Sequence, residues 1–188
     1  MKRALALAAL VPALAAAHPK GFHKRDVTTV TAKSVEVLVT LDIDSGKRCS
    51  LLRTAADADR DGKLSPDELK ALKERLAKLA VRPLKVEIAG YPVVFREEES
   101  KLDARGDIRA SDSALSVAVL AKADLPHAAT PGMTLTLADE SPDQSHIAVE
   151  VFQRSAADAG AEAPVRQELH PGEEVKARLG RLLDILPK

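Results

Sequence analysis

Alternation of apolar and polar residues divides most of this chain into short strands. Val27 to Val30 and Val35 to Ile43 flank a turn at Ala32-Lys33, which predicts a hairpin. In the second run Val35, Val37, Val39, Leu41 and Ile43 share one face, while Glu36, Thr40 and Asp42 share the other. That is the period-two pattern of a half-buried strand. It returns at Leu84, Val86 and Ile88, at Leu115, Val117 and Val119 within Ser113 to Ala121, at Leu135 and Leu137, and at Ile147, Val149 and Val151. Gly90 predicts a turn, with Tyr91 to Phe95 returning as a further short strand. Turn residues separate the runs at Asp103 to Gly106, Asp124-Leu125-Pro126, Pro131-Gly132 and Ser141-Pro142-Asp143. About six to eight strands at this spacing predict an antiparallel β-sandwich or barrel-like sheet.

Three stretches switch to a helical period. Leu69, Leu72, Leu76 and Leu79 recur among Lys70, Lys73, Glu74, Arg75 and Lys78, an amphipathic helix of about three to four turns. Gly46 to Ala56, with Cys49, Leu51, Leu52, Ala55 and Ala56, reads as a shorter helix before it. Near the end, Val175, Leu179, Leu182, Leu183 and Leu186 follow Pro171-Gly172 at near-helical spacing. The expected fold is α+β. An antiparallel β-sandwich-like domain spans 18–154, with a helix–loop–helix inserted at about 45–80. A linker follows over 155–171, then a C-terminal helix over 172–188.

The loop inside the insertion is the most specific motif in the chain. It reads Asp57-Ala58-Asp59-Arg60-Asp61-Gly62-Lys63-Leu64-Ser65-Pro66-Asp67-Glu68. Oxygen donors fall at the first, third, fifth, seventh, ninth and twelfth positions: Asp57, Asp59, Asp61, the Lys63 carbonyl, Ser65 (commonly through a water) and Glu68. Gly62 stands where the chain must turn through positive φ. Four carboxylates converging on one small volume repel one another unless a cation neutralises them, and an all-oxygen set suits a hard cation, calcium before magnesium. Pro66 and Ser65 make a good helix start, and Ser65 with Glu68 forms a capping box. Glu68 cannot both cap the helix fully and chelate, so metal binding is expected to reorient it.

These residues resemble the EF-hand family over about 35 residues. The resemblance implies a helix–loop–helix and a Ca2+ ion held by Asp57, Asp59, Asp61, Lys63, Ser65 and Glu68. EF-hands commonly work in pairs, and the nearest second candidate, Asp42-x-Asp44-x-Gly46, has Arg53 where the chelating Glu is needed. A lone hand must be steadied by the β domain or by dimerisation.

Met1 to Ala17 reads as a secretory leader, with Lys2-Arg3, an apolar run from Ala4 to Leu14, and Ala15-Ala16-Ala17 before His18. The run is too short for a membrane-spanning helix. A soluble periplasmic or secreted protein cut after Ala17 is expected, with no integral membrane segment after processing. Calcium is abundant there, so a site with Kd on the order of 0.1 to 1 mM stays filled, and a structural role is expected over a sensory one.

The 28 basic and 28 acidic residues balance, and losing Lys2 and Arg3 with the leader leaves an excess of two acids. Bulk charge therefore argues against nucleic acid as a partner. Four aromatic residues, Phe22, Tyr91, Phe95 and Phe152, leave little for base or sugar stacking. Cys49 is the single cysteine, so no internal disulfide is possible, and a buried apolar role beside Leu52 is expected. No nucleophile elbow, zinc-protease helix or phosphate loop occurs, which points to a protein that is not an enzyme. The acidic run Glu97-Glu98-Glu99 reads as a solvated strand edge or loop. His127, His146 and His170 have no ligand spacing.

The mature terminus would read His18-Pro19-Lys20-Gly21-Phe22-His23, and His18 with His23 could bind copper or nickel. An exported chain with this start, then strands, a D-x-D-x-D-G insertion and more strands, resembles the extracytoplasmic N-terminal region of HupE/UreJ-like membrane proteins. That family is associated with metal handling, but no transmembrane helices follow here. Three functions come from the sequence: a non-catalytic calcium-binding protein, an envelope copper or nickel metallochaperone, and an interaction module using the C-terminal helix for a protein partner or homodimer.

Overall fold

The structure, a computed structural model, describes residues 22–104, 112–141, 144–153, 165–170 and 173–180. The leader, His18 and residues 181–188 of the expected terminal helix lie outside the described residues. The described elements are strands β1 (Phe22–Val30) and β2 (Ser34–Ile43), helices α1 (Lys47–Ala56) and α2 (Pro66–Val81), and strands β3 (Leu84–Ile88), β4 (Tyr91–Pro92), β5 (Arg96–Asp103), β6 (Leu115–Asp124), β7 (Thr134–Asp139), β8 (Gln144–Gln153), β9 (Val165–Leu169) and β10 (Glu174–Arg178).

The protein is α+β and mostly strand. One sheet has the order β5-β6-β2-β1-β8-β9 and the other β10-β7-β3-β4. The alternating apolar positions behave as the sequence predicts: Val35, Val37, Val39, Leu41 and Ile43 are buried, as are Leu115, Val117 and Val119, Leu135 and Leu137, and Ile147, Val149 and Val151. Both sheets contribute to one apolar core, the compact arrangement that removes most apolar area from water.

The helix pair enters between β2 and β3, with α2 lying against β6, β5 and β2. Leu72, Leu76, Ala77 and Ala80 are buried. Leu79, expected in the stripe, is 42 % exposed. The four-residue ladder 72–76–80 carries the buried face past it and onto Ala80.

Four expectations need correction. The larger sheet is mixed, because β1 pairs antiparallel with β2 and parallel with β8, Lys24 opposite Ile147. Alternation reports which face is buried and says nothing of strand direction. Within the expected linker, Val165–Leu169 is β9, antiparallel to β8 with Gln167 opposite Val149. Only Leu169 of that strand is buried, so an edge strand left no periodic signal. Within the expected terminal helix, Glu174–Arg178 is β10, paired with β7, Val175 opposite Leu137. Val175 and Leu179 are four apart, a spacing that suits helix and strand alike; buried Ala177 between them decides for strand. Finally, β4 ends at Pro92 rather than running to Phe95, with one further backbone bond beyond it, from the Val93 N–H to the Val86 carbonyl at 2.8 Å. The acidic run lies on β5, an edge strand.

Candidate metal centre

The loop 57–68 is fixed at both ends before any ion is considered. Helix α1 is anchored by Arg53, whose fully buried guanidinium donates to the carbonyls of Ser113 (2.6 Å) and Ala114 (3.3 Å) ahead of β6. Arg53 thus tethers α1 to the segment ahead of β6. Cys49 is buried, its Sγ donating to the Asp44 carbonyl at 3.2 Å, and burial pushes its thiol pKa upward. That matches the expected apolar role. Leu64 plugs the middle of the loop into the core, with 6 % exposure.

Helix α2 starts as the sequence predicts. Ser65 is the N-cap, Pro66 the first helical residue, and the capping box with Glu68 is complete. Ser65 Oγ accepts from the Glu68 N–H at 3.4 Å, while Glu68 Oε2 accepts from the Ser65 N–H at 2.8 Å and from its hydroxyl at 2.9 Å. The other oxygen, Oε1, accepts from the Ala58 N–H at 2.6 Å and so ties the helix to the loop's beginning. The Ser65 and Ala58 N–H groups hold the Glu68 carboxyl below its ordinary range, because hydrogen bonds to the ionised form favour it.

Between these anchors the backbone winds around three carboxylates. The Gly62 N–H donates to Asp57 Oδ2 (3.2 Å), the Asp61 N–H to Asp59 Oδ1 (3.1 Å) and the Lys63 N–H to Asp61 Oδ1 (2.7 Å). Gly62 has φ 81° and Arg60 φ 62°, so the coil needs the left-handed region that glycine enters most cheaply. One carboxylate oxygen each from Asp57, Asp59 and Asp61 lies within 4.8 Å of the others. Asp57 Oδ1 is buried and has no hydrogen-bond partner among the described residues. A buried anionic oxygen without a donor is costly, and a hard cation would satisfy it. The three carboxylates could therefore hold a metal ion.

No family model matches this chain, and no curated protein does. The reading of the loop rests on its own residues and their geometry.

Of the six expected ligands, Asp57, Asp59 and Asp61 are brought together. Ser65 and Glu68 are engaged with each other. His23 Nε2 sits 3.0 Å from Asp44 Oδ2, a contact within the strand-rich body. Among the described residues no helix is long and apolar enough to cross a membrane.

Sequence reasoning passed over a second charged cluster. Lys24, Asp26 and Asp139 are all at most 2 % exposed. The signal was present: Phe22, Lys24, Asp26, Thr28 and Val30 share one parity, and all are buried. Starting the strand at Val27 hid Lys24 and Asp26 from that test.

Proposed function

We propose that this is an exported, non-catalytic calcium-binding protein, in which one EF-hand clasps a helix pair onto a β-sandwich-like domain. The observation that carries the reading is the convergence of Asp57, Asp59 and Asp61 oxygens, one of them buried and lacking a donor. The pre-wound loop supports it, since the ion meets groups already arranged by backbone hydrogen bonds and by Gly62. The ion would be held by Asp57, Asp59, Asp61, the Lys63 carbonyl and Glu68, with Ser65 through a water, and would supply charge neutralisation alone.

A structural role follows from the anchoring. Leu64 and Arg53 are buried and fix the helix pair to the core, which opposes its opening. Ten-fold saturation above Kd would add about 1.4 kcal/mol to stability. Glu68 must trade its bonds to Ser65 and Ala58 for chelation, which weakens affinity and fits a site with Kd on the order of 0.1 to 1 mM.

Calorimetric titration of the mature protein with calcium is the deciding experiment. Heat with one-site stoichiometry is expected, with weaker binding in Glu68→Gln and Asp57→Asn. Absence of binding at millimolar calcium, or an unchanged isotherm in both variants, sinks the proposal.

A further inference from the structure

Lys24 and Asp26 reach inward from β1 of the larger sheet, and Asp139 reaches inward from the end of β7 in the smaller one. Lys24 Nζ is in direct contact with Asp139 Oδ2, and both side chains are fully buried. Asp26 Oδ1 lies 3.8 Å from the same Nζ, also fully buried. The other oxygen of Asp139, Oδ1, accepts a hydrogen bond of 2.9 Å from the Ser141 N–H. Neither oxygen of Asp26 has a hydrogen-bond partner among the described residues. Three ionisable groups in an apolar core, bridging two sheets, are an expensive way to hold a fold together. They are, however, the complete set of groups for an amide condensation.

We propose that Lys24 and Asp139 join in an intramolecular amide bond across the two sheets, with Asp26 carrying protons for the reaction. Each group has a chemical task. Lys24 begins as an ammonium and passes one proton to Asp139 Oδ2, leaving a neutral amine beside a neutral acid. The amine lone pair attacks Asp139 Cγ, and the charge that develops on Oδ1 is stabilised by the Ser141 N–H already in place. Asp26 gives its proton to the departing Oδ2 hydroxyl and takes one from the nitrogen. The Nζ–Cγ bond forms, the Cγ–Oδ2 bond breaks, one water leaves, and Asp26 ends as it began. No oxidant, metal or co-reactant is required.

Two physical features drive the condensation. Fixing amine and carboxyl in contact replaces an encounter in water by a very high effective concentration. Excluding water from the products opposes hydrolysis, and forming a neutral amide removes two buried charges. Desolvation also raises Asp26 to about 7, against the pull of the Lys24 charge, so a proton is present there near neutral pH.

The test is mass spectrometry of the purified, denatured full-length or processed chain, with its N-terminus identified. A protein one water lighter than its sequence is expected, together with a branched proteolytic peptide joining the Lys24 and Asp139 segments. Lys24→Arg and Asp26→Asn should keep the full sequence mass. Asp139→Asn should condense with loss of ammonia and reach the same final mass as wild type. Full sequence mass in folded wild type, or a lost water without the branched peptide, overturns the proposal. Water loss persisting in Asp26→Asn overturns the task given to Asp26. Should the variants not fold, the wild-type mass and peptide map decide alone. The calcium reading stands or falls separately, on binding heat.

Discussion

Asp26 links the chemistry of one side chain to the stability of the whole chain. Burial raises its carboxyl from 3.8 to about 7, with Lys24 pulling the value down and Asp139 pushing it up. Between those values the folded protein keeps a proton that the unfolded chain has lost. This contribution to stability is therefore complete below the unfolded value and falls away as pH rises through the folded one, by on the order of 4 kcal/mol. Denaturant unfolding from about pH 4 to about pH 8 should show that slope in wild type and lose it in Asp26→Asn. Amide formation preserves the direction, because desolvation, the largest cause, is untouched, while the size of the slope given applies to the triad with Lys24 and Asp139 unjoined. Glu68 has the opposite linkage. Its carboxyl is lowered by N–H donors from Ser65 and Ala58, so its support is present above the ordinary glutamate value and is lost as pH falls through the depressed one.

At the scale of elements, α2 holds the loop's exit. Removing its N-cap with Ser65→Ala should cost about 1 kcal/mol in denaturant unfolding, and should also free one Glu68 oxygen from the Ser65 hydroxyl. Leu76 is fully buried against the sheet, and Leu76→Ala should cost about 2 to 5 kcal/mol by the same measurement. Both elements were legible in the sequence for physical reasons. Leu72 and Leu76 repeat at the helical period, and the cap residues Ser65, Pro66 and Glu68 act locally. The strands with a clean buried face, such as Val35 to Ile43, were equally readable. What escaped was decided at a distance. β9 is an exposed edge strand with one buried residue, β10 has too few apolar positions to separate two periods, and the parallel pairing of β1 with β8 has no local signature. The clustering of Asp57, Asp59 and Asp61 was legible because these groups lie within twelve consecutive positions. The Lys24–Asp139 contact joins residues 115 apart, and only the fold brings them together.

For the whole molecule, the two sites act on different parts of the architecture. The helix pair around the loop lies on the larger sheet, while Lys24 and Asp139 span from one sheet to the other. A covalent link closing a loop of 115 residues removes unfolded-chain entropy worth about 5 kcal/mol if it behaves as a disulfide of that span. Wild type should then unfold at clearly higher denaturant than Asp26→Asn at about pH 5, where Asp26 keeps its proton and differs least from asparagine. Calcium should raise the transition in both proteins, and by a similar amount, since the loop's side-chain hydrogen bonds do not involve Lys24, Asp26 or Asp139.

The position of β1 also sets a timetable. It is the earliest strand described, and β2 can fold onto it at once as a hairpin, but its other neighbour, β8, follows more than a hundred residues later, with Lys24 opposite Ile147. Until that segment arrives, one flank of β1 presents an open row of backbone donors and acceptors, with Lys24 and Asp26 still in water. Pairings this distant in sequence are slow to form, and an open flank is an invitation to foreign strands. Charged residues at alternate positions of the waiting strand make it a poor template for such partners, so the groups that burden the finished core guard the chain while it is incomplete.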